Sequence, residues 1–231
     1  MRKFILFASA MLTVSITSNV AAQDQAKETE PSEAPAAEAP VASVPPVCEL
    51  RVFPSLERTV HTVGLLSLVG GAAGASIERD LNHKHNLSVE EYLENALGPE
   101  FQIRALSTID LVSELNLPEG TAITFETPIE DRKITTKSKE RLTSSVAPCY
   151  AELLVTQNMY QDVMFRGRSL NNRFIFKDFR TGKTETKMIK GRGGNGLKHF
   201  PPENPEGIEA ADEDVRQVFV ANFLEYAKKF K

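Results

Sequence analysis

The stretch Gly191-Arg192-Gly193-Gly194-Asn195-Gly196, with Lys190 before it and Lys198 just beyond, has the residue types that bind anions. Glycine lets backbone amides approach a negative group closely, and flanking cations hold it. The expected contacts are Lys190, Arg192, Gly193, Gly194 and Lys198. The spacing differs from the Gly-x-x-x-x-Gly-Lys-Ser/Thr of a P-loop, and the run follows a predicted strand without opening a helix. It therefore reads as an irregular, flexible crossing segment. A second constellation is Asp80, His83 and His85, with His61 upstream. Histidines two apart in an extended segment can face one metal ion, and the carboxylate could complete the set. Catalytic patterns are thinner. There is no Gly-x-Ser-x-Gly elbow, and Ser144-Ser145 lacks a nearby histidine or lysine arranged to activate it. Glu126, Glu130 and Asp131 offer carboxylates, as any acidic loop does. No catalytic residue is assigned and no cofactor is expected.

The N-terminus sets the expected compartment. Arg2 and Lys3 precede an apolar run, Phe4 to Ile16, and Val20-Ala21-Ala22 supplies small residues for cleavage. This is the pattern of a signal peptide over 1–22, too short to span a bilayer as a stable helix. The first cysteine is Cys48, after Pro45-Pro46-Val47, so no lipidation site follows the leader. A periplasmic or secreted location is expected, where Cys48 and Cys149, the only two cysteines, would form a disulfide.

Residues 23–47 (ending PSEAPAAEAPVASVPP) are rich in Ala, Pro and Glu and have almost nothing to bury. They read as a disordered tether. Residues 48–231 are long enough for one domain, and 41% hydrophobic with 25% charged residues is ordinary globular composition. A net charge of −4 argues against a general nucleic-acid binder. Tryptophan is absent, which weakens the case for a carbohydrate platform.

The elements that must position these residues centre on Cys149 to Lys190. Cys149, Ala151, Leu153 and Val155 alternate with Tyr150, Glu152, Leu154 and Thr156. Further on, Leu170, Phe174 and Phe176 share one face while Asn171, Arg173 and Lys177 share the other. Period-two alternation predicts strands, and Arg180-Thr181-Gly182-Lys183 predicts a tight turn between two of them. Further strands are predicted at Glu49–Phe53, Phe101–Leu106 and Thr121–Glu126. Ser88-Val89-Glu90-Glu91 is a capping box opening a helix that stops at Gly98-Pro99. A short helix is predicted at Ile109–Asn116, capped by Ser107 or Thr108, and a surface loop or frayed helix at Ile129–Pro148. Val63 to Ile77 is apolar and Gly/Ala-rich, the pattern of a buried helix, and Leu65, Leu66 and Leu68 are its candidate partner contacts. Asp212 to Phe230 is amphipathic, with Val215, Val218, Phe219, Phe223, Tyr226 and Phe230 on one stripe. The fold class that results is α/β (α+β): a single domain with a mixed, partly antiparallel sheet packed by helices.

The order of elements, the paired runs CYAELLVT and SLNNRFIFKDFRTGK, and the Asp178-to-Gly182 turn (DFRTG) resemble small α/β domains of bacterial envelope accessory proteins. These are similar to the N-terminal domain of TolB and to the curli-secretion CsgG group. The resemblance spans about two thirds of the domain, and the chain departs from that group in lacking a lipidation cysteine and an evident pore-forming hairpin. It implies a non-catalytic envelope protein with an envelope protein as partner. Peripheral membrane association is a further expectation, from the apolar Val63–Ile77 run, and no nucleic acid is expected, from the net charge. A small-ligand, anion- or metal-binding periplasmic protein is the alternative.

Overall fold

Leu50 and Val52 of the first strand point to one side and are fully buried, which is what a strand with one core face requires. The computed structural model describes residues 48–63, 89, 91–94, 96–180 and 186–231. The predicted signal peptide and tether, Leu65, Leu66 and Leu68, Asp80, His83 and His85, Ser88, and the turn at 181–183 lie outside the described residues. The strands are β1 (Glu49–Phe53), β2 (Arg58–Val63), β3 (Ala122–Phe125), β4 (Tyr150–Val163), β5 (Gly167–Asp178) and β6 (Met188–Gly196). They form one mixed sheet in the order β3-β1-β4-β5-β6, with β2 also on β4. β1 and β2 run parallel to β4, and β3 runs parallel to β1, whereas β4-β5-β6 is antiparallel. The expected α/β fold with a mixed sheet is thus observed, together with the amphipathic C-terminal helix.

β1 and β4 are neighbours in register, Glu49 against Tyr150, which puts the preceding cysteines side by side. Cys48 and Cys149 are disulfide-bonded with their Cα atoms 4.6 Å apart, close to the spacing of adjacent strands.

Among the described residues, helices with complete bounds are α1 (Pro99–Ser107), α2 (Leu111–Glu114), α3 (Arg132–Lys137) and α4 (Ile208–Ala227). Residues predicted as a strand at Phe101–Leu106 are helical instead. Pro99 stands in the first turn, where a missing amide costs nothing, and Phe101, Gln102, Ala105 and Leu106 are the buried positions, a helical rather than a two-residue repeat. Gln102 locks the helix: its side chain accepts from Ser55 N and donates to Ser55 O and Leu97 O, each at 2.8 Å. The predicted helix at Ile109–Asn116 shortens to α2, capped by Asp110 rather than Ser107 or Thr108.

α4 covers one face of the sheet. Val215, Phe219, Phe223 and Tyr226 are fully buried, and Phe174 of β5 lies within 6 Å, centroid to centroid, of the rings of Phe219 (5.9 Å), Phe223 (5.5 Å) and Tyr226 (5.3 Å). Burial of each such ring contributes roughly 2–3 kcal/mol. A relay of asparagines runs through the same contact: Asn172 donates to Asn158, Asn222 of α4 donates to Asn172 and to Leu170 O, and Asn195 of β6 donates to Asn222. A buried polar network with its members satisfied fixes where the helix lies on the sheet.

The glycine-rich run is β6, an edge strand, and not the flexible crossing segment expected. Its small residues make room for the helix: a Cβ on Gly193 would collide with the Asn222 backbone, and one on Gly191 with the Tyr226 ring. The helical end is also bonded to the strand. Tyr226 Oη donates to Ile189 O (2.7 Å), Lys229 Nζ to Lys190 O (2.6 Å), and Gly194 N donates to the Glu225 carboxylate (3.2 Å). These bonds blunt an edge that would otherwise pair with another chain. α4 begins at Ile208, so Asp212, Glu213 and Asp214 are past its first turn. Asp214 instead accepts from the amides of Lys198 and His199 (2.7 Å each) and Phe200 (3.2 Å), anchoring the segment that leaves β6.

Candidate cationic site on the second face of the sheet

Two irregularities fall at one level of the sheet and create the site. In β4 the register against β5 shifts between Val155 and Gln157, leaving Thr156 as an extra residue. Across the other edge, residues 54–57 separate β1 from β2 and oppose only residues 155–157 of β4. A bulge bends its strand and changes which residues face the core. Before Thr156 the odd residues Ala151, Leu153 and Val155 belong to the main core; beyond it Tyr160 does. On the second face Gln157 therefore lies opposite Arg173, and Arg173 lies opposite Arg192 of β6.

At one end this second face is covered by α3 and the segment 138–148. Ile129 to Pro148, expected as surface, is held down by a buried ion pair between register partners Glu152 and Lys177. Both side chains are 0% exposed and their charged atoms are 3.1 Å apart. Glu152 Oε1 also accepts from Leu142 N (2.5 Å) and Tyr150 Oη (2.9 Å), and Lys177 Nζ donates to Glu140 O (3.3 Å). Burial pushes the Lys177 ammonium below the ordinary lysine range, and the attraction of Glu152 opposes that push. Leu142 packs beside Phe53, Leu154 and Ile175, and the Arg141 guanidinium lies 4.6 Å from the Tyr150 ring centroid.

Where that cover ends, a cavity of about 380 Å³ opens between α3 and the sheet. Arg132 and Thr136 of α3, Thr156 and Gln157 of β4, Arg173 and Ile175 of β5, and Lys190 and Arg192 of β6 line it. Asp131 caps α3 by accepting from Lys133 N at 2.7 Å, which orients the helix that carries Arg132. Arg132 pairs with the Glu57 carboxylate at 2.8 Å, and Lys190 Nζ donates to the neutral Thr136 carbonyl at 2.8 Å. Arg173 and Arg192 have no ion pair or side-chain hydrogen bond among the described residues. Like charges directly opposed across two strands are unfavourable. Four cations meeting one carboxylate in a chain of net charge −4 make a local concentration of positive charge.

Of the residues expected to bind an anion, Lys190 and Arg192 line this cavity. Gly193 faces α4, and Gly194 abuts Asn171 and Glu225. Lys198 lies past the end of β6 in a separate cavity of about 520 Å³, shared with His199, Glu213 and Asp214, where acidic groups offset the bases. His61 is exposed on β2. Among the described residues, no group of three or more His, Cys, Asp or Glu could hold a metal ion. Ser145 donates to Glu49 (2.8 Å), which also pairs with Arg51. Nothing in the local sequence marks Arg132 or Thr156 as site residues, and the alternation of β5 marks Arg173 only as a residue of the polar face.

No family model, curated protein or solved structure matches the chain. Among the described residues, those lining the cavity include no carboxylate, imidazole or thiol, whereas arginine forks are suited to holding oxyanions; the Thr136 and Thr156 hydroxyls donate to Arg132 O and Arg173 O.

Proposed function

We propose that this chain is an exported, non-catalytic binding domain of the cell envelope. It holds an anionic ligand, free or presented by an envelope partner, in the cavity between α3 and the β4–β6 face. The observation that carries this proposal is the opposition of Arg173 and Arg192 beside Lys190, with no counter-ion to the two arginines among the described residues. The Cys48–Cys149 disulfide supports an oxidising compartment, and the leader-like residues 1–22 with the tether at 23–47 support export.

Thermal denaturation in the presence of small anions tests it. A ligand at a hundred times its Kd stabilises by about 2.7 kcal/mol, equivalent to a rise of roughly 5–10 °C for a domain of this size. Polyvalent anions should give such a rise over sodium chloride at equal ionic strength, and R173Q/R192Q should remove it while melting normally alone. If neither a small anion nor an anionic lipid vesicle outperforms chloride, the proposal fails.

A further inference from the structure

Resting on that proposed function, we infer that the anion is a dianionic phosphate group carried by a small molecule or a lipid head. Charge comes first. Of the four cations at the cavity, Arg132 is matched by Glu57, while Arg173, Arg192 and Lys190 pair with no carboxylate among the described residues. A dianion offsets most of that excess, whereas a monocarboxylate leaves most of it in place. Geometry points the same way. Arg173 and Arg192 are register partners on adjacent strands, Lys190 lies two residues before Arg192 on the same face of β6, and Arg132 reaches the cavity from α3, so cations line it from the sheet and from the helix above it. Tetrahedral phosphate offers oxygens in several directions to such a set; a carboxylate offers two in one plane. Gln157 at the bulge adds a neutral amide to the same wall, while the Thr156 hydroxyl donates to Arg173 O. Size follows. At about 380 Å³ the cavity is within the range of small-molecule sites and exceeds the needs of a bare ion, so an organic portion accompanies the phosphate.

Titration distinguishes this inference from the broader one. Among the described residues, the charged groups facing the site are Arg132 with its partner Glu57, Arg173, Lys190 and Arg192, and no imidazole lines it. Arginine and lysine side chains do not in general titrate between about pH 5 and pH 7.5. A phosphate monoester loses its second proton near pH 6, so about a tenth is dianionic at pH 5 and nearly all at pH 7.5. Isothermal titration of the full chain with glycerol 3-phosphate should therefore show binding about tenfold tighter at the higher pH. R173Q and R192Q should each weaken it by about tenfold or more, the loss expected for one charge-assisted contact. Vesicles of phosphatidylcholine containing phosphatidic acid present the same group on a lipid. Saturation by vesicles with no binding of glycerol 3-phosphate assigns the source to a membrane and sustains the inference. Malonate binding as tightly as glycerol 3-phosphate, or an affinity unchanged by pH, overturns the phosphate assignment and leaves anion binding standing. Binding of no anion at all overturns both.

Discussion

Replacing Lys177 by methionine should lower the unfolding free energy by about 3–5 kcal/mol, the cost of leaving a buried carboxylate unpaired. Glu152 and Lys177 are both fully buried, 3.1 Å apart, in directly paired positions of β4 and β5. The pair also gathers Leu142 N, Tyr150 Oη and the Glu140 carbonyl, so it fastens segment 138–148 to the sheet. Neutralising both partners with groups of similar volume, K177M/E152Q, should recover most of the loss, because the uncompensated charge is gone. Urea denaturation of the three proteins measures it. A loss below about 1 kcal/mol in K177M would show that the pair is wetter than its burial implies.

Removing the disulfide should have an effect of similar size. Cys48 and Cys149 are 101 residues apart in sequence and join the starts of adjacent parallel strands. Opening a loop of that length restores unfolded-state entropy worth about 4–5 kcal/mol in the chain-entropy model. C48S/C149S should melt well below the parent, and a reducing agent should bring the parent down to the same midpoint. A midpoint unchanged by reduction would place the stability of the β1–β4 pair in its hydrogen bonds and core alone.

Elements with a strong local signal were legible. Alternation in CYAELLVT and SLNNRFIFKDF marked β4 and β5, and the aromatic stripe from Val215 to Tyr226 marked α4. The Cys48–Cys149 pairing followed from there being no other cysteines. Phe101–Leu106 misled because Phe101, Ile103 and Ala105 alternate, whereas burial selects Phe101, Gln102, Ala105 and Leu106. The glycines of β6 misled for a related reason. Glycine usually signals a mobile loop, but Gly191 and Gly193 are strand residues pressed beneath a helix, a requirement set by tertiary packing. Lys177 belongs to the polar face as its spacing indicated, yet it is sealed by a segment whose polar composition suggested surface. The site itself was legible only in Lys190 and Arg192. Arg173 joins them through strand register, Thr156 through a bulge, and Arg132 through a short helix folded back over the sheet, and none of these is written in local spacing.

The cationic cavity as an anion site is tested most directly by amide chemical-shift mapping during a titration with glycerol 3-phosphate. The largest shifts are expected at Thr156, Gln157, Arg173 and Arg192, with α3 following, and little change at Lys198 to Phe200. Shifts centred on Lys198 to Phe200, or spread evenly over the surface, would contradict a binding site at this face of the sheet.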